Sequence, residues 1–189
     1  MVSVRAAARA DLAAIKAIYD HYVLKTPATF DIDPPPLEAW EDVFDSHAGR
    51  FHLLVATEDP SGAPHDGGAR EGSGAHEIGG AQDDGGARVV GFAKTGEVRP
   101  KRAYDTSVQV SVYCAPDATG RGVGTALYEA LFAALDGADL HRAYAYITLP
   151  NPASVALHER FGFAHRGTMT EVGRKFGRYH DVATYEKPL

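Results

Sequence analysis

Val112-Tyr113-Cys114-Ala115-Pro116-Asp117-Ala118-Thr119-Gly120-Arg121-Gly122-Val123-Gly124-Thr125 joins a strand to a helix through a glycine-rich turn. The strand is read from the alternation that leads into it. Val108, Val110, Val112 and Cys114 fall on one face, with Ser107, Gln109, Ser111 and Tyr113 on the other, until Pro116 ends the run. The helix is read from the stripe that leaves it: Val123, Leu127, Leu131 and Leu135. Between them, Gly120, Gly122 and Gly124 let backbone N–H groups approach a phosphate closely, and a helix N-terminus adds about half a positive charge. A pyrophosphate fits such a turn, although the same glycines also serve close packing alone. No Gly-Lys-Ser/Thr follows, and the Gly-x-Gly-x-x-Gly spacing of a dinucleotide fold is absent.

A second constellation lies downstream, at Asn151-Pro152-Ala153-Ser154-Val155-Ala156-Leu157-His158-Glu159-Arg160-Phe161-Gly162-Phe163. Pro152 suits the first turn of a helix and Gly162 its end. On that helix Asn151, Ser154 and His158 share one side, near the end of a strand expected over 143–148. They face a ligand there, or serve as a helix cap and a packing histidine.

Outward from these stretches the pattern remains mixed α/β. Leu12, Ile15, Ile18, Tyr19, Tyr22 and Val23 recur at helical spacing behind Asp11, an expected N-cap. Pro34-Pro35-Pro36 precedes a short helix expected from Leu37 to about Phe44. Two strands are expected around 51–56 and 89–93, and two more near 169–175 and 181–186. The single domain, 1–189, thus carries an insertion at 58–87. That segment holds nine of the 20 glycines, repeats Asp-Gly-Gly-Ala-Arg, and has Ile78 as its one large aliphatic residue, so a flexible loop is expected.

The insertion also explains the net charge of -6. It holds seven acidic residues against Arg70; of 19 Lys/Arg and 25 Asp/Glu in the chain, 18 of each remain outside it. The neutral remainder offers no basic footprint for nucleic acid. Cys114 is the single cysteine, which excludes an intramolecular disulfide and a cysteine-based zinc site, and no metal site is expected. It shares a face with three valines, so a core position is expected rather than an acyl carrier. The N-terminus lacks the apolar core of a signal peptide, and no membrane span is expected. The default is a cytoplasmic protein.

The turn and the Asn151 helix together resemble the GNAT acetyltransferases: a Val-Tyr-x strand, a Gly-x-Gly turn, then Asn-x-x-Ser-x-x-Leu-x-x-x-x-Gly-Phe. Thr29-Phe30-Asp31, Arg99-Pro100-Lys101-Arg102-Ala103-Tyr104, Leu149-Pro150-Asn151, His158-Glu159 and the tail from Lys175 to Val182 are similar to the phosphinothricin and methionine sulfoximine acetyltransferase branch. The resemblance implies a mixed, curved sheet flanked by helices, with acetyl-CoA wedged where two central strands splay. It implies that Val112, Tyr113 and Cys114 present backbone to the pantetheine. Gly120, Arg121, Gly122, Val123, Gly124 and Thr125 would hold the pyrophosphate, and Asn151 the thioester arm. His158 stands where many members carry a tyrosine that protonates the departing thiolate. Phe30, Arg99, Lys101 and Tyr104 would bind a small amino-acid-like amine, since guanidinium and ammonium groups suit a carboxylate or phosphinate. A homodimer is also implied.

Two positions depart from the branch. Thr119 replaces the usual Gln or Arg that opens the turn, and Gln109 stands where the branch carries a catalytic Glu. An amide takes no proton as a general base. Two other functions therefore stay open: a related enzyme acting on a protein N-terminus or another amine, and a non-catalytic acetyl-CoA-binding module.

Overall fold

The computed structural model describes residues 1–47, 51–59 and 87–189. The expected loop over 58–87 lies outside them except at its ends, where Glu58 closes a strand and Ala87 precedes one. Among the described residues seven strands form one sheet: β1 (Val2–Ala6), β2 (Leu53–Glu58), β3 (Arg88–Glu97), β4 (Ser107–Cys114), β5 (Arg142–Thr148), β6 (Ala164–Lys175) and β7 (Arg178–Pro188). Four α-helices accompany them there: α1 (Leu12–Lys25), α2 (Leu37–Ser46), α3 (Val123–Leu135) and α4 (Pro152–Arg160). The sheet order is β1-β2-β3-β4-β5-β7-β6, and every neighbouring pair is antiparallel except β4 and β5. Among the described residues no helix is long and apolar enough to cross a membrane.

Side-chain alternation assigns the two faces. A Cβ on Gly91 would meet Val123 and Leu127 of α3, and Gly91 pairs with Cys114, so the Val108 to Cys114 row faces α3. Val123, Leu127, Leu131 and Leu135 are all buried against it. Such side chains contribute roughly 1.5–3 kcal/mol each as an upper bound. The opposite row turns towards α1 and α2. Tyr113 stacks on Phe92 at 5.2 Å between centroids, and Phe92 meets the buried Trp40 of α2 edge-on at 5.6 Å.

Three local features differ from the expectation. The edge strand β1 is not among the expected strands; it exists by pairing Val2–Ala6 with Glu58–Leu54, a contact distant in sequence. Asp11 does not cap α1 through its side chain. Its carboxylate accepts the Ala8 N–H at 2.7 Å and pairs with Arg5 at 2.7 Å, so it is spent on the turn before the helix. The last two strands are longer than expected because a tight turn at Phe176 and Gly177, both at positive φ, folds them into one hairpin.

Candidate functional site

The parallel ladder between β4 and β5 is short. It joins Ser107, Gln109 and the residue between them to Arg142–Tyr144, and then stops. Beyond it, β4 stays on β3 as far as Cys114, while β5 stays on β7 as far as Thr148. The two strands therefore part like a V with Gln109 at its apex. A cleft of about 550 Å³ opens between them, lined by residues 110–114 and 145–148, and this volume suits a cofactor arm and a small substrate.

The glycine turn forms one mouth of the cleft. Gly120 and Gly122 sit at φ +74° and +82°, where a Cβ would be strained. The first backbone bond of α3 runs from the Ala126 N–H to the Gly122 carbonyl at 3.0 Å. The N–H groups of Val123, Gly124 and Thr125 are thus free of helical partners, and no side chain caps the helix. They meet the cleft together with the positive end of a 13-residue helix. A Cβ on Gly124 would lie 3.2 Å from Leu157 Cδ2, so this glycine lets α3 and α4 approach.

Arg121 pairs with Glu58 at 2.6 Å and is not part of the cleft wall. The Thr119 hydroxyl donates to the Pro116 carbonyl at 3.0 Å. Asn151 caps α4 by accepting the Ser154 N–H at 3.1 Å, and it lines the cleft. Cys114 is half-buried on the cleft wall rather than inside the core, and burial pushes its thiol up to about 11.

His158 is buried on the same wall, with both ring nitrogens engaged. Nδ1 lies 2.7 Å from the Ser154 carbonyl, which has no proton to give, so Nδ1 is the donor. Nε2 lies 2.8 Å from the Tyr128 hydroxyl and accepts from it. Burial lowers the imidazole pKa, which favours this neutral form.

The remaining candidates are dispersed. Gln109 faces the α1 and α2 side at the apex, outside the cleft wall proper. Arg99, Lys101 and Tyr104 lie exposed in the turn between β3 and β4, beyond the apex. Phe30 lies over the β6–β7 hairpin, where a Cβ on Gly173 would come within 2.1 Å of its ring.

Sequence reasoning passed over Tyr22, whose hydroxyl donates to the Cys114 carbonyl at 2.8 Å and whose ring borders the cleft. It had been absorbed into an apolar helix stripe. Ser111 and Tyr146, on the two edges of the V, are expected as strand residues but not as part of a site.

Residues 15–163 match the Acetyltransferase (GNAT) family. An N-acetyltransferase of Streptomyces griseus is 49% identical over 181 residues, covering 95% of this chain and 82% of that protein. A phosphinothricin N-acetyltransferase of Streptomyces coelicolor is 45% identical over 190 residues, covering 100% of this chain and 96% of its own length. Among solved structures, a phosphinothricin acetyltransferase from Sinorhizobium meliloti in complex with acetyl-CoA superposes with a TM-score of 0.82 at 28% identity, covering 100% of this chain and 88% of that one. The V-shaped cleft, its open helix terminus and these relationships agree: the chain belongs to the acetyltransferase (GNAT) family.

Proposed function

We propose that this protein transfers the acetyl group of acetyl-CoA to the primary amine of a small amino-acid-like substrate, of the phosphinothricin or methionine sulfoximine kind. The observation that carries the reading is the parting of β4 from β5 beside the uncapped N-terminus of α3. The N–H groups at Val123 and Thr125, which have no helical partner, with the turn at Gly120 and Gly122, suit the pyrophosphate, while the Gly124 N–H already reaches the Cys114 sulfur. The open edge of Val112, Tyr113 and Cys114 suits the pantetheine amides. Asn151 keeps its side-chain NH₂ for the thioester arm while its oxygen caps α4.

The amine nitrogen attacks the thioester carbon directly, the C–S bond breaks, and the coenzyme leaves as a thiol. The attacking amine must be neutral. Gln109 orients the acceptor or a water at the apex, and water takes the proton. His158, neutral and held at both nitrogens, acts as a positioning residue: any proton it exchanged with the cleft would cost one of its two bonds.

A homodimer formed through β6 fits the same reading. This long edge strand exposes Met169 and Val172, and Phe176 and Tyr179 stand exposed at its hairpin, a surface that another copy would cover. Light scattering at increasing concentration tests it, and a monomer throughout overturns it. An acetyl-CoA-dependent enzyme of small amines is at home in the cytoplasm.

Thiol release from acetyl-CoA across an amine panel tests the whole reading. Turnover on phosphinothricin or methionine sulfoximine supports it; cofactor binding without turnover on any amine favours a binding module.

A further inference from the structure

The face of the sheet opposite α3 carries a charge constellation that the exposed Arg99–Lys101 turn does not share. Lys94 pairs across the ladder with Ser111, which lines the cleft, so its side chain rises beside the mouth on the α1 and α2 side. Its Nζ lies 5.7 Å from the ring of the buried Trp40, and among the described residues no hydrogen bond reaches it. Lys175, at the end of β6, is only 3% exposed, and its Nζ donates to the Thr29 carbonyl at 2.8 Å. Burial depresses both ammonium groups, and the carboxylate of Asp31 opposes that effect at each. Asp31 itself accepts the Tyr19 hydroxyl at 2.7 Å. Its segment leads on from Ala28, which borders the cleft.

Of these three groups two are cations and one is a carboxylate. Lys94 is only partly exposed and has no hydrogen-bond acceptor among the described residues, so an arriving anion would supply a charge-assisted one. Lys94 stands one strand over from the edge of the V, about 4.8 Å away. Its side chain has the reach to meet a carboxylate held next to an amine in the gap.

We propose that Lys94, with Lys175 and Asp31 beside it, forms the anion-recognising end of the acceptor site and takes the carboxylate of an α-amino acid whose amine enters the β4–β5 gap. The proposal rests on the acetyl-transfer reading above. It assigns specificity to a half-buried lysine inside a strand, and it disfavours cationic polyamines and amines without an acid group.

The test compares L-methionine sulfoximine with its carboxamide as acceptors, in the wild type, Lys94→Met and Lys94→Arg. Wild type should favour the acid by at least about tenfold in kcat/KM, as charge-assisted bonding gives. Lys94→Met should shrink that preference at least about fivefold, chiefly through the acceptor KM, and Lys94→Arg should restore part of it. The ratio between variants cancels the different basicities of the two amines. Equal use of both acceptors by the wild type, or an unchanged preference in Lys94→Met, overturns the anion site and leaves acetyl transfer standing. If neither compound is acetylated while acetyl-CoA still binds, the amino-acid acceptor reading falls and the anion site falls with it.

Discussion

The Tyr128 hydroxyl and His158 Nε2 stand 2.8 Å apart in the buried seam between α3 and α4, so one hydrogen bond ties together two helices that border the cleft. Its polarity is fixed from the other end, where Nδ1 gives its proton to Ser154. Tyr128→Phe leaves Nε2 buried without a donor and should cost about 1–3 kcal/mol of stability. Chemical denaturation of the pure variant measures this. An unchanged stability would show that water replaces the hydroxyl.

The same pair gives stability a pH dependence. His158 has a lowered pKa in the folded state, so the unfolded chain binds the proton more readily. Its contribution is complete above the unfolded value of about 6.5 and is lost as pH falls below it. The melting temperature should therefore drop between pH 7 and 5 more steeply in the wild type than in His158→Gln. Parallel curves would mean that His158 titrates normally.

Gly122→Val should weaken acetyl-CoA binding in a protein that still folds. At Gly122 a Cβ meets no protein atom, so the harm comes from φ +82° and from blocking the phosphate's approach. Gly124→Val differs in kind, because its Cβ would press on Leu157 and should lower the melting temperature as well. Calorimetry on both variants separates the two effects, and wild-type affinity in folded Gly122→Val would contradict the cofactor assignment.

Much of this site was legible from residue patterns. The alternation over Ser107–Cys114, the stripe Val123-Leu127-Leu131-Leu135 and the glycines between them gave strand, helix and turn in place. Long-range partnership was not legible. The alternation Val2-Ser3-Val4-Arg5 is too short to mark a strand by itself, and β2 supplies its hydrogen bonds. Lys94 reads as an ordinary charged residue until the ladder pairs it with Ser111 of the cleft wall, and Lys175 gains its place only when the hairpin brings it to Thr29. Arg99 and Lys101, which the resemblance implies as substrate contacts, are exposed in the turn between β3 and β4.

Glu58 and Arg88 face each other across the β2–β3 ladder, so those strands meet in register at the point where the segment between them departs. Replacing residues 60–86 by a short Gly-Ser turn should therefore leave stability and turnover nearly unchanged. Loop shortening alters closure entropy by only about a kcal/mol. A large loss of either would give the insertion a role in the fold or at the site.

Gln109 holds the apex where the related branch carries a Glu. An α-amino group of pKa ~8 is about one-tenth neutral at pH 7, so working without a base costs about 1.4 kcal/mol, and more for a more basic amine. Gln109→Glu should raise turnover several-fold, most for the more basic acceptors, and extend activity to lower pH, since a general base typically contributes about 10²–10⁴-fold. No gain at any pH would place the proton path away from the apex.

The most direct measurement is mass spectrometry of the products formed from acetyl-CoA and L-phosphinothricin or L-methionine sulfoximine, with free thiol followed in parallel. Acetyl transfer in the β4–β5 cleft requires one coenzyme A thiol for each amine made heavier by one acetyl group, and none without enzyme. A folded protein that binds acetyl-CoA and acetylates neither compound would contradict the account.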